Sequence, residues 1–107
     1  RQMCIRDRFY LQYMLKKKRT ISTKKILNFL IKFYKKHKFI RIYKKNTLIS
    51  TKNVINTNYC DISICETNDS NRLVILSSID NLIKGGAGQA IQNLNIKFGF
   101  KIDEGLI

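Results

Sequence analysis

Residues 58–80, NYCDISICETNDSNRLVILSSID, contain two strand-like runs separated by a short polar segment. The run at 72–80 is apolar over nearly its whole length, which is typical of a strand buried inside a sheet. The segment TNDSN at 67–71 is rich in turn-forming residues. The run at 58–66 alternates, and successive side chains of a strand point to opposite faces, so one face would carry Cys60, Ile62 and Ile64. The stretch therefore predicts a β-hairpin.

A helix and two further strands are predicted upstream of this hairpin. Ser22 or Thr23 can cap a helix that runs to about His37. The segments FYLQYMLKK at 9–17 and KFIRIY at 38–43 favour strands. One face of the helix has apolar residues at helical spacing, Ile26, Leu27, Leu30, Phe33 and Tyr34. Its other face is polar, with Lys25, Asn28, Lys32, Lys35 and Lys36.

A last helix is predicted from Gly86 onward. Its apolar residues form one stripe, Ala87, Ile91, Leu94 and Phe98. The element order is β-α-β, a connection, a β-hairpin and a C-terminal helix, which predicts an α+β fold with helices on one face of a sheet. We expect the last helix either to fold onto the sheet or to leave its stripe partly exposed.

Three of the five glycines lie within four positions, Gly85, Gly86 and Gly88. Such a cluster indicates that something approaches the main chain closely. The free N–H groups at the start of a helix favour an anion or a polar ligand group. The spacing fits neither a Rossmann fingerprint nor a P-loop, and close packing of helix against sheet is the other explanation.

Charge is unevenly distributed along the chain. Residues 1–57 hold 17 Lys and Arg against one acid, whereas residues 58–107 hold four against six. A small basic RNA-binding module and an amphipathic helix on anionic lipid are therefore alternatives. Against RNA binding, Phe29 and Phe33 belong to the predicted helix and do not form a stacking platform on an exposed strand. Codon bias of an AT-rich genome explains the lysines more simply.

The cysteines indicate neither a disulfide nor a zinc site. Cys60 and Cys65 lie five apart in one strand, so their side chains point to opposite faces and cannot pair. The sequence has no cysteine–histidine cluster with zinc-ligand spacing. Together with the lack of a long apolar run or a signal peptide pattern, this predicts a cytoplasmic protein.

The first eight residues, RQMCIRDR, match the translation of a transposase adapter used in preparing sequencing libraries. We expect residues 1–8 to be an adapter-derived artefact and exclude them from fold reasoning. On this interpretation the remainder, 9–107, is a fragment of a longer protein.

Two segments resemble the C-terminal part of N-acetyl-gamma-glutamyl-phosphate reductases: NTNYCDI at 56–62 and RLVILSSIDNLIKGGAGQAIQNLNIKFGF at 72–100. Members of this family carry a Gly-Thr-Asn-Tyr/Phe-Cys-Asp-Ile segment and an Asp-Asn-Leu-Val-Lys-Gly-Ala-Ala-Gly-Gln-Ala block. The resemblance is dense over 47–107 and extends more loosely to residue 9.

The resemblance implies an NADPH-dependent enzyme of arginine biosynthesis that reduces N-acetyl-glutamyl phosphate to the semialdehyde. The chain would be part of a domain like the C-terminal substrate and dimerisation domain of glyceraldehyde-phosphate dehydrogenase. Residues 81–107 would return toward a separate nucleotide-binding domain, which would bind most of the NADP(H). The implied partners are a small-molecule substrate and further copies of the enzyme, with no nucleic acid and no membrane.

The family uses a cysteine nucleophile and a histidine, and its nucleophile lies in a Gly-Asn-Pro-Gly-Cys-Tyr segment that this chain lacks. No catalytic role is therefore assigned to Cys60, Cys65 or His37, and the chain is expected to be inactive alone. The resemblance places Asn81 near the nicotinamide, with the main chain at Gly85 and Gly86 close to the cofactor.

Neighbouring residues carry further expectations. Lys84 either lies near a phosphate or is solvated, and Asp80 is expected to hold the turn by bonding to backbone N–H groups. Asn56 stands where the family commonly has glycine, and asparagine is the next-best residue for positive φ. Gly86 replaces a frequent alanine.

Overall fold

The computed structural model describes residues 8–16 and 21–106, with side chains described from residue 21 onward. The expectation about residues 1–8 concerns a segment that, apart from Arg8, lies outside the described residues. The predicted α+β class is confirmed. The strands and helices are β1 (Arg8–Lys16), α1 (Thr23–Phe33), β2 (Ile40–Ile42), β3 (Cys60–Glu66), β4 (Arg72–Asp80) and α2 (Gly88–Phe98).

The strands form one mixed sheet in the order β1-β4-β3-β2. Strand β4 pairs antiparallel with both β1 and β3, while β2 runs parallel to β3. The predicted hairpin is confirmed, and its turn is closed by Asp69, which accepts hydrogen bonds from the backbone N–H groups of Asn71 and Arg72. Both faces of β4 are covered, since Leu73 packs with Leu27 of α1 and Leu76 is buried on the opposite face, and this explains its nearly continuous apolar run.

Helix α1 covers one face of the sheet. Ser22 caps it as predicted, since its hydroxyl accepts a hydrogen bond from the Lys25 N–H at 3.1 Å. Leu27 packs with Ile64 and Leu73 in the centre of the core.

The ends of α1 and β2 differ from the prediction. The helix ends at Phe33 rather than near His37, because Tyr34 begins a turn in which its carbonyl accepts from the His37 N–H at 2.9 Å. Phe33, which the helical spacing groups with the apolar face, is 59% exposed. Strand β2 has three residues instead of the six predicted at 38–43.

The connection between β2 and β3 covers the opposite face of the sheet. It contains a short 3₁₀ turn at Thr51–Asn53, and the connection and strand β4 contribute the buried side chains of Ile49, Val54 and Leu76. Both faces of β3 are therefore covered. As a result, the polar positions that alternate with its isoleucines, Asp61 and Ser63, are fully buried.

Helix α2 begins two residues later than predicted, after a kinked helical turn at Ile83–Ala87. It ends at Gly99, whose φ of 73° is the left-handed conformation that glycine adopts most readily. The face turned toward the protein is polar and holds Gly88, Gln92 and Asn95. Asn95 donates hydrogen bonds to the carbonyls of Ile102 and Glu104 at 3.1 and 3.0 Å, and so fixes the residues that follow the helix.

The predicted apolar stripe of α2 is exposed. Leu94 is 48% and Phe98 63% exposed, and Ala87 and Ile91 are also accessible. Of the two expected arrangements, the helix therefore adopts the one in which the stripe stays open. Phe100 extends the same apolar surface beyond the helix.

Candidate functional site

Asp80 ends the buried strand β4 and organises the turn that follows. One carboxylate oxygen accepts a hydrogen bond from the Asn56 N–H at 2.8 Å, and the other accepts from the Leu82 N–H at 3.0 Å. The expected backbone-holding role of Asp80 is therefore confirmed. Asn56 has a φ of 60°, so asparagine supports the left-handed conformation anticipated for this position.

The three residues predicted to bind cofactor, Asn81, Gly85 and Gly86, lie together in this turn. A β-carbon added at Gly85 would lie 2.0 Å from the side-chain oxygen of Asn81, so the missing side chain leaves room for the Asn81 amide. A β-carbon at Gly86 would be 3.5 Å from the Asn81 carbonyl oxygen. The main chain at both glycines is exposed, while Asn81 is half-buried.

Gly88 serves packing inside the protein. It is buried at the start of α2, and an added β-carbon would lie 2.5 Å from the Asn58 side-chain oxygen and 2.6 Å from the Ile83 carbonyl oxygen. At this glycine the close approach is made by the protein itself. The glycine cluster therefore combines a packing position, Gly88, with two positions whose main chain faces outward.

Lys84 points into the protein body. Its amine donates to the Gln92 side-chain oxygen at 2.9 Å, and the Asn58 amide donates to the same oxygen at 2.9 Å. The Lys84 nitrogen lies 5.6 Å from the centre of the Phe39 ring. Burial lowers the pKa of Lys84 from its ordinary value, although the nearby Cys60 thiol acts in the opposite direction. Lys84 is thus a partly desolvated cation, unlike the solvated lysine that was one of the expectations.

A buried charged cluster that sequence reasoning missed lies between β2 and β3. Asp61 is fully buried and accepts hydrogen bonds from the Arg41 guanidinium at 2.6 and 3.1 Å and from the Tyr43 hydroxyl at 3.0 Å. The Arg41 guanidinium also lies 4.1 Å from the centre of the Tyr59 ring. One signal was available, because an acidic residue inside an apolar strand requires a cationic partner.

The pKa values of Arg41 and Tyr43 are both shifted in this cluster. Burial and the hydrogen bond to Asp61 raise the pKa of Tyr43. Burial by itself would lower the pKa of Arg41, but the hydrogen bond and charge of Asp61 outweigh it and the net shift is upward. The cluster therefore favours a protonated Arg41 and a neutral Tyr43.

The cysteines and the histidine are not assembled into a nucleophile–base pair within the described residues. The Cys60 sulfur lies 3.5 Å from the Ser77 hydroxyl, and the Cys65 sulfur lies 3.9 Å from the Thr47 carbonyl. His37 is exposed at the turn after α1. Neither cysteine is hydrogen-bonded to it, and both thiols are free.

Residues 8–16 and 21–106 contain neither a metal-binding cluster nor a membrane-spanning helix. No group of three or more His, Cys, Asp or Glu side chains could hold a metal ion. No helix in this part of the chain combines the length and apolar character needed to span a membrane.

The chain is similar to several curated enzymes named N-acetyl-gamma-glutamyl-phosphate reductase. It is 47% identical over 88 residues to the protein from Brachyspira hyodysenteriae and 46% identical over 86 residues to that from Clostridium kluyveri. The protein from Methanosphaera stadtmanae is 40% identical over 89 residues. These matches cover 80–83% of this chain but only 25–26% of each relative. The chain thus spans about a quarter of the length of these relatives.

The resemblance noted from the sequence is therefore confirmed. A family model described as "Semialdehyde dehydrogenase, dimerisation domain" matches residues 9–81, which include all four strands and α1. The match ends at Asn81, the residue that follows β4. The chain belongs to the family of semialdehyde dehydrogenase dimerisation domains.

Proposed function

We propose that the chain is part of an NADPH-dependent reductase that converts N-acetyl-glutamyl phosphate to the semialdehyde in the cytoplasm. The observation that carries this proposal is its 40–47% identity to reductases of that name over about four-fifths of the chain. The sheet with α1 would form the core of a domain like the C-terminal domain of glyceraldehyde-phosphate dehydrogenase. Residues 81–107 would extend from this core toward the nucleotide-binding part of the enzyme.

The turn after β4 has features that suit a dinucleotide. The Asn81 side chain offers both a donor and an acceptor, as a carboxamide requires, and the outward main chain of Gly85 and Gly86 leaves space beside it. Asn81, Gly85 and Gly86 would therefore hold the nicotinamide end of NADP(H). When bound, the cofactor would supply a hydride. Asp80 would position Asn81 by fixing the backbone on either side of the turn.

The nucleophile and the general acid–base would come from parts of the enzyme outside this chain. This is supported by the surroundings of Cys60 and Cys65, which are strand cysteines without a histidine partner. A thiol needs an adjacent base or a lowered pKa to attack an acyl phosphate. The chain alone would therefore be inactive.

The exposed apolar residues would contact other parts of an oligomeric enzyme. Such residues occur on α1 and α2 and include Phe29, Phe33, Leu94 and Phe98. Exposed apolar side chains that are grouped on one surface commonly mark a binding face. The stripe of α2 would pack against the nucleotide-binding part of the enzyme, while the dimerisation domain would associate with a second copy.

The experiment that tests this function is a chimera. Residues 9–107 replace the matching C-terminal quarter of the Brachyspira hyodysenteriae reductase, and phosphate-dependent reduction of NADP⁺ by N-acetyl-glutamate semialdehyde is measured. We expect the chimera to be active and the isolated chain to be inactive. A folded chimera without activity, or an isolated chain with activity, would contradict the proposal. Lys52→Met in the chimera is a control for an exposed substitution, since Lys52 lies in the 3₁₀ turn and is not one of the proposed cofactor residues.

A second candidate function, RNA binding, is favoured by one observation on α1. Phe29 and Phe33 lie on helix α1 as predicted, but both are exposed, and their ring centres lie 5.9 Å apart. Lysines flank them on the same helix. Fluorescence anisotropy with single-stranded RNA would show binding that weakens steeply with salt and is reduced in Phe29→Ala. Equal binding by the variant would exclude this role for the rings.

A further inference from the structure

A basic cavity lies between the turn after α1 and the inward face of α2. Its volume is about 350 Å³, within the usual range for small-molecule sites. Its polar and aromatic lining comes from these two segments and from the kinked turn before α2, and consists chiefly of Tyr34, Lys36, His37, Lys38, Lys84 and Gln92. Phe39, Ile96 and Ile102 supply apolar walls. None of the three proposed cofactor residues lines it, although Lys84 belongs to the same turn after β4.

The cavity has more positive than negative charge. Among the described residues, Lys38 is paired with Asp103, whereas Lys84 has no carboxylate partner. The Lys84 amine contacts only the neutral oxygen of Gln92 and the face of the Phe39 ring. A partly buried cation without a counter-ion is unfavourable, and burial accordingly lowers the pKa of Lys84. An anion in the cavity would relieve this cost.

We propose that this cavity binds a small organic anion through a carboxylate or phosphate group that contacts Lys84. At the rim, Lys36 would add a further positive charge and His37 would add a hydrogen-bond donor. The apolar walls would contact the uncharged part of the ligand. Gln92 would position Lys84, because its side-chain oxygen holds both the Lys84 amine and the Asn58 amide.

Proton NMR of the whole chain tests the proposal directly. His37 is the only histidine in the sequence, so its ring protons give a single, assignable reporter at the cavity. The chain is titrated at constant pH and ionic strength with inorganic phosphate in one series and citrate in the other. We expect at least one anion to cause a saturable shift of the His37 signal. Saturation by phosphate alone, or by citrate alone, identifies which oxyanion the cavity prefers.

Variants distinguish a site from general attraction to a basic chain. Lys84→Met should weaken binding about tenfold or more, the effect of losing one charge-assisted hydrogen bond, and Lys84→Arg should retain most of it. Lys52→Met removes the same charge at a residue that does not line the cavity, and this variant should bind as the unmodified chain does. Circular dichroism checks folding. Should Lys84→Met fail to fold, Lys36→Met, an exposed substitution at the rim, is compared with Lys52→Met instead.

Shifts that never saturate would overturn the proposal. The proposal would also be overturned if Lys84→Met weakened anion binding no more than Lys52→Met does. The same holds for Lys36→Met compared with Lys52→Met, because the anion would then respond only to net charge. The test does not depend on reductase activity, so its outcome is separate from that of the chimera.

Discussion

Arg41 and Asp61 occupy partner positions in the parallel strands β2 and β3 and form a two-point ion pair. The Nε–Oδ1 distance is 2.6 Å and the Nη2–Oδ2 distance is 3.1 Å. Nη2 also donates to the Asn53 carbonyl at 2.9 Å. One side chain therefore joins the three-residue edge strand, the strand beside it and the 3₁₀ turn that covers the sheet.

Removing the arginine should destabilise the fold. Arg41→Met leaves a fully buried Asp61 carboxylate with Tyr43 as its remaining side-chain partner among the described residues. We expect a loss of about 3 kcal/mol, the lower end of the range for breaking a buried pair, because 36% of the Arg41 side chain is exposed. Urea unfolding followed by circular dichroism measures it. Lys45→Met, which breaks the exposed pair with Glu66, is the control and should cost less than about 1 kcal/mol. Equal losses in the two variants would contradict this assignment.

Because of Tyr43, the free energy of unfolding should fall at alkaline pH. Its pKa is raised in the folded chain, so its contribution is complete below the ordinary tyrosine pKa of about 10 and is lost as pH rises through the folded-state value. We expect the free energy of unfolding of the unmodified chain to approach that of Tyr43→Phe in this range. Lysines titrate in both proteins, so the difference isolates Tyr43. If the difference in free energy of unfolding between the unmodified chain and Tyr43→Phe stayed constant or grew with pH, this prediction would be wrong.

Gly88 and Gly85 should respond differently to alanine. Gly88→Ala places a methyl group 2.6 Å from the Ile83 backbone oxygen, so we expect a loss of about 1–3 kcal/mol through overpacking. Gly85→Ala meets only the flexible end of the Asn81 side chain below 3 Å, which can rotate. It should cost less stability but displace the Asn81 amide. Thermal unfolding of both variants tests the order, and a reversed order would show that the turn is packed differently.

The exposed stripe of α2 should promote self-association of the isolated chain. Leu94→Gln combined with Phe98→Gln removes two exposed apolar side chains of the stripe, so we expect a lower apparent mass in light scattering and weaker binding of a hydrophobic dye. Phe29→Gln on α1 is the matched change on another exposed face. An unchanged mass in the α2 variant, with a decrease in the α1 variant, would assign association to α1.

In the chimera, Asn81→Ala and Gly86→Val should impair NADPH binding or hydride transfer without unfolding the protein. One lost hydrogen bond corresponds to about 0.5–1.5 kcal/mol, so we expect a two- to tenfold effect for Asn81→Ala. The valine should cost more because it obstructs the outward main chain. Steady-state kinetics with varied NADP⁺ measures both. Unchanged kinetics in both variants would indicate that Gly85 and Gly86, like Gly88, serve packing and not cofactor binding.

The sequence by itself determined the elements that depend on local pattern. The Ser22 cap, the helical spacing around Leu27, the turn at 67–71 and the long apolar run of β4 are each readable within a few residues, and each was confirmed. The backbone-holding role of Asp80 was also predicted, because a carboxylate at the end of a strand has N–H groups of the following turn within reach.

The tertiary structure alone decided which faces are covered. The alternation in β3 correctly grouped its isoleucines, but only the arrangement of the connection between β2 and β3 buries Asp61 and pairs it with Arg41, twenty residues away. The helical period of α2 correctly grouped Leu94 and Phe98, yet the helix turns Gln92 and Asn95 inward instead. Periodicity reports which side chains share a face. Burial depends on which other segments pack against that face, and in this chain hydrogen bonds between residues distant in sequence decide which face is buried.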